Sequence, residues 1–225
     1  MMGLNLARMK KDEIVWMANH KCKKHSVSYI QHPNCFITEN PDKQNVGIID
    51  IETTQLKANW GIVLCVSILD LNSDKNFVRI ITKKELFSEG LDKALLKETI
   101  AEMRKYDRLI GYYASNMRFD IPFLRSRAVY HDLDFPGFGE IVMDDLYPTI
   151  RYKFRLSNNR LETACRFLLN GTSKTHWMET QWLRAIQGNQ KSLDYIKNHC
   201  IEDTKETRRL YKKVFQFNRK NNASL

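Results

Sequence analysis

Val46-Gly47-Ile48-Ile49-Asp50-Ile51-Glu52-Thr53-Thr54 has the composition of a buried β-strand, yet two acids interrupt it. Side chains two apart on a strand project from the same face, so Asp50 and Glu52 converge. Two like charges side by side in a Val/Ile-rich strand are costly unless something neutralises them. A divalent cation does so directly, because hard cations take carboxylate oxygens. A strand with one face in solvent would carry the same two acids with no metal.

The flanking pattern is α/β. Ile62 to Leu69 and Phe77 to Ile81 read as antiparallel neighbours of that strand, joined through the turn Asn72-Ser73-Asp74. Leu91, Leu95, Leu96, Ile100 and Met103 have helical spacing within Leu91 to Tyr106. Arg108 to Tyr113 reads as a strand, Ile121 to Arg127 as a short helix, and Glu140 to Met143 as a fifth strand. Asp144 and Asp145 then read as helix-capping residues ahead of Leu146-Tyr147-Pro148. Asn159-x-x-Glu162 has the form of a capping box opening a helix over Leu161 to Leu169, closed by Gly171. Trp182 to Ile186 is a short helix, and Ser192 to Phe217 a long, basic, amphipathic one. The expectation is a mixed five-stranded sheet flanked by helices.

Two further acids fall at informative places. Asn116-Met117-Arg118-Phe119-Asp120 follows a predicted strand and opens a helix. Asp203 lies on the long C-terminal helix, with His199 four residues earlier on the same helical face. Together these resemble the three motifs of the DEDD-type 3′→5′ exonucleases of the ribonuclease H-like superfamily (DnaQ-like and YprB-like domains). Asp50-x-Glu52 resembles the first motif, Asn116-x-x-Phe119-Asp120 the second, and His199 to Asp203 the third. The resemblance runs from about Val46 to Tyr211. One departure stands out: the histidine subclass places its base five residues before the last Asp, where this chain has Asn198. His199 occupies the tyrosine subclass's position, four before.

The resemblance implies a ribonuclease H-like fold and a two-metal hydrolysis of phosphodiester bonds at the end of single-stranded DNA or RNA. Asp50, Glu52, Asp120 and Asp203 would hold two Mg²⁺ or Mn²⁺ ions, clamping the attacking and leaving oxygens. His199 would orient and deprotonate the attacking water. Thr53, Asn116 and Phe119 would position the substrate end. An endonuclease of the same fold, or a nucleic-acid-binding module without catalysis, are the other readings.

The chain divides into a basic arm (1–45), the α/β unit (46–217) and a polar tail (218–225). In the arm, Cys22-x-x-His25 and His32-x-x-Cys35 form two closely spaced ligand pairs that suit one structural Zn²⁺. A solvated basic loop with incidental Cys and His is the plainer reading. Lysine and arginine outnumber acids 36 to 26, giving a formal charge of +10 that favours a polyanionic partner. Arg151, Lys153, Arg155 and Arg160 cluster near the expected capping box, and Lys205, Arg208, Arg209, Lys212 and Lys213 lie along the last helix. Charge runs are usually solvated faces, so they establish only a general basic surface. Trp177 and Trp182 read as core residues sooner than stacking platforms. Five cysteines, an odd number, argue for a reducing compartment, and the expected location is cytoplasmic. No apolar run approaches the roughly 20 residues that span a bilayer, so no membrane association is expected.

Overall fold

A computed structural model describes residues 9–40, 44–114, 119–137, 140–172 and 178–217. The central strand is β1 (Val46–Thr53), with β2 (Val63–Asp70) and β3 (Asn76–Ile80) following it in antiparallel succession. Helices α1 (Lys11–Asn19) and α2 (Pro33–Glu39) precede it. A short α3 (Lys83–Leu86) and α4 (Lys93–Met103) lead to β4 (Arg108–Gly111), which runs parallel to β1. Helix α5 (Asp120–Tyr130) leads to β5 (Val142–Asp145), parallel to β4. The remaining helices are α6 (Leu146–Lys153), α7 (Leu161–Leu168), α8 (Glu179–Ile186) and α9 (Gln190–Val214). The sheet order is β3-β2-β1-β4-β5, the mixed five-stranded arrangement expected.

Both faces of β1 are covered along most of its length, and Asp50, Glu52 and Thr53 are only part-exposed at its end. On the face of the acids Val46 and Ile48 are at most 5 % exposed, so that face is not a broadly solvated one. Ile49 and Ile51 join Leu95, Leu96 and Leu124 of α4 and α5 in one cluster. Val46 and Ile48, on the face of Asp50 and Glu52, join Leu146, Leu161 and Leu210 of α6, α7 and α9 in another. Helix α9 is pinned to that face by polar contacts as well. Ser67, register partner of Asp50, lies 3.0 Å from the Thr204 hydroxyl, and the Cys200 thiol donates to the Asp50 carbonyl at 3.4 Å.

Local chemistry departs from expectation in places. The capping box at Asn159 does not form: the N-cap of α7 is Arg160, without a side-chain cap bond. Asn158 Oδ1 instead accepts from Arg160 N, while Glu162 is drawn to Arg166 one turn later. Asn170, not Gly171 alone, leaves α7 through a left-handed conformation, with φ of 56°. A genuine capping box opens α3, where Thr82 and Glu85 exchange backbone bonds. The arm is helical rather than a bare loop, with Met17, Cys22, Tyr29 and Phe36 buried in a small cluster of their own. Among the helix-α9 cations, three are occupied internally: Lys205 with Glu202, Arg208 with Asp74, and Arg209 with Glu206.

Candidate active site

The site begins where β1 leaves the core. A register irregularity between Glu52 and Thr53 ends the regular pairing with β2, so the acids lie at the strand's last regular positions. Helix α9 supplies the opposing wall. Its Asn189 cap accepts from Ser192 N, and its buried stripe runs through Leu193, Ile196, Cys200 and Leu210. A core-facing stripe is ordinarily apolar. Passing β1, this one buries His199 and Asp203 instead. Such a local rule is broken where function compensates.

Glu52, His199 and Asp203 bring one ligand atom each within 4.8 Å of the others. His199 Nε2 stands 3.7 Å from Glu52 Oε1, an ion-pair separation rather than a hydrogen bond. The Trp182 ring meets the imidazole edge-on at 5.5 Å, which fixes its plane. Trp182 is itself buried, the core role expected of it. Tyr195, one turn before His199, is half-buried against the same core.

Asp120 enters from the first turn of α5, where the helix dipole favours a carboxylate. Burial nevertheless pushes its pKa well above the ordinary value, and the charges of Asp50, Asp145 and Asp203 push it further. Asp203 thus belongs to both groupings: near Glu52 and His199, and electrostatically coupled to Asp120. Asp120 Oδ2 is buried with no hydrogen-bond partner among the described residues. Gathered acids, one with a buried carboxylate oxygen awaiting a partner, form an oxygen donor set that fits divalent cations such as Mg²⁺ or Mn²⁺, with one imidazole beside it.

A cleft of about 420 Å³ opens beside these acids, with Asp50 and Asp203 in its lining. Tyr112, Tyr113 and Tyr147 form an aromatic side, and Arg160 and Glu162 a charged one. The tyrosines owe their placing to Asp145. Its Oδ1 accepts from Tyr113 N at 2.8 Å and from Tyr147 N at 2.9 Å, the second being the helix cap read from sequence. The two rings then lie 4.8 Å apart, edge to face. Tyr113 takes a left-handed φ of 68°, costly for a bulky side chain and retained where the surroundings enforce it. The chain passes so tightly there that a Cβ on Gly111 would lie 2.2 Å from that of Ala114.

Sequence reasoning missed Tyr113 and Tyr147, since alternation and capping patterns explain both without a site. Among the positioning candidates, Phe119 packs against Phe123, and the Thr53 hydroxyl donates to the Gln55 carbonyl at 2.8 Å. Asn116 and Trp177 lie outside the described residues.

In the arm, Cys22, His25, His32 and Cys35 also gather, with ligand atoms within 4.8 Å of one another. No described helix is long and apolar enough to cross a membrane.

The family described as RNase_H superfamily (RNase_H_2) matches residues 48–215, so the chain belongs to the ribonuclease H superfamily. Membership supports a nuclease, a hydrolase that engages nucleic acid. A comparison with curated proteins finds no match.

Proposed function

We propose that the protein is a 3′→5′ exonuclease that hydrolyses phosphodiester bonds at the ends of single-stranded DNA or RNA. The observation that carries this reading is the meeting of Glu52, His199 and Asp203 beside a tyrosine-lined cleft that Asp50 and Asp203 border. Asp50, Glu52, Asp120 and Asp203 would hold two Mg²⁺ or Mn²⁺ ions. Bound there, such ions supply Lewis acidity and a readily ionised water.

The chain's own residues do the rest. His199 takes the proton of the attacking water at Nε2, where Glu52 Oε1 steadies the resulting positive charge. Tyr113 and Tyr147 offer ring faces and edges to a terminal base, and Arg160 offers a guanidinium to phosphate. Thr53, Asn116 and Phe119 help position the end. The cleft volume falls in the range of small-ligand sites, which favours one terminal nucleotide over a continuous duplex. Five cysteines without a disulfide fit a reducing compartment, and the cytoplasm is the location proposed. The Cys/His group of the arm stands apart from this chemistry and holds a structural ion of its own.

Digestion of 5′-end-labelled oligonucleotides with Mn²⁺ tests the reading on matched DNA and RNA strands. A ladder shortening from the 3′ end is expected. Internal fragments from the outset would mean an endonuclease, and retention without cleavage a binding module.

A further inference from the structure

We infer that Cys22, His25, His32 and Cys35 bind one Zn²⁺ as a closed structural site, through the Sγ atoms of both cysteines and the Nδ1 atoms of both histidines. The inference rests on the arm alone and is independent of the nuclease reading.

The two ligand pairs come from two local structures that face each other. Cys22 and His25 flank a tight turn closed by Ser26 N donating to the Cys22 carbonyl at 3.0 Å. Ser26 holds a left-handed φ of 56° at that turn, and Lys21 and Ser28 bridge across it. His32 caps α2 and Cys35 lies in its first turn, with Cys35 N donating to the His32 carbonyl at 3.0 Å. Each x-x spacing is therefore a single turn that aims two donors the same way.

The distances suit a tetrahedron. Zn–S bonds near 2.3 Å and Zn–N bonds near 2.0–2.1 Å give ligand–ligand edges of about 3.3–3.8 Å. The pairs observed are His25 Nδ1 to His32 Nδ1 at 3.1 Å, His25 Nδ1 to Cys35 Sγ at 3.3 Å, Cys22 Sγ to His25 Nδ1 at 3.7 Å and His32 Nδ1 to Cys35 Sγ at 4.0 Å. Both cysteines are free rather than joined. Two imidazole nitrogens and two sulfurs meeting at such range satisfy one another poorly by hydrogen bonds, since thiols are weak donors and acceptors. A shared cation satisfies all four.

The arm also needs such a staple. Its own core is four buried side chains, Met17, Cys22, Tyr29 and Phe36, one of them a proposed ligand. Cores of this size do not sustain a fold without a metal, a disulfide or a larger partner. Glu39 adds polar support by accepting from Tyr29 Oη at 2.9 Å and from Lys23 N. With four protein donors the site has no open position for water, which makes it structural rather than hydrolytic.

The full chain, purified without added metal, should carry about one zinc by elemental analysis. Asp203→Asn should keep that zinc, because it alters only the carboxylate site. Cys22→Ser with Cys35→Ser should lose it, whether or not the arm stays folded. His25→Cys should retain it where His25→Ala does not, which separates ligation from mere packing. Histidine carbon shifts in zinc-loaded protein should report Nδ1 coordination. Absence of zinc together with failure to take up equimolar Zn²⁺ or Co²⁺ would overturn the proposal. So would unchanged zinc in the double variant, and Nε2 coordination would overturn the ligand assignment.

Discussion

At the scale of single residues, the chemistry turns on groups whose burial makes sense only in company. Asp50 and Glu52 stood out in the sequence as acids in an apolar strand, and Asp120, His199 and Asp203 through their resemblance to the exonuclease motifs. Tyr113 and Tyr147 did not, because their meeting depends on one oxygen of Asp145 and on a left-handed residue that no periodicity announces. The proposed base is open to a direct check. His199→Gln should lower kcat by about 10²–10⁴-fold, the usual worth of general-base catalysis. KM should move little. A variant that keeps kcat would remove His199 from the chemistry.

At the scale of elements, strand and helix types were legible, as was the Asp145 cap of α6, but the start of α7 was not. β1 and α9 follow from composition and spacing, but the cap at Asn159 lost to a turn made by Asn158, a competition between neighbours that a motif cannot resolve. Nor did the sequence betray the buried triad that ties α4, α5 and β2 together. Asp92 is fully buried and accepts from Arg127 Nη2 at 2.6 Å, His131 Nε2 at 2.8 Å and Val63 N at 2.9 Å. Burial works to raise its pKa, but bonds from Arg127, Val63 N and His131 outweigh it and leave the carboxyl below its ordinary value. A depressed carboxyl contributes stability that is complete above the unfolded value of about 4. That contribution is lost as pH falls through the lower folded value. Asp92→Asn should therefore cost about 3–5 kcal/mol at neutral pH, because it leaves Arg127 buried beside a neutral amide. In thermal melts this corresponds to a fall on the order of 10 °C. The gap from wild type should narrow in strong acid; an equal melting temperature at pH 7 would show the triad to be inessential.

At the scale of the whole molecule, net charge and site placement give separate contributions to binding. The formal charge of +10 signalled a polyanion, yet three α9 cations are paired with Glu202, Asp74 and Glu206. Arg151, Lys153 and Arg155 are exposed, at the end of α6 and just beyond it. Arg160→Ala should weaken single-strand binding and reduce the slope of log K against log salt by about 0.7, one phosphate's worth. An unchanged slope would move the phosphate contact elsewhere. In the proposed mechanism clustered acids, not the basic surface, perform the cleavage. Asp50→Asn, assayed with Mn²⁺ for both binding and cleavage of one labelled single strand, separates the two. Binding should stay measurable, since phosphate contacts supply most affinity, while cleavage should fall by more than the ~10²-fold typical of losing only a supporting partner. Near-normal turnover by the purified, folded variant would contradict that mechanism.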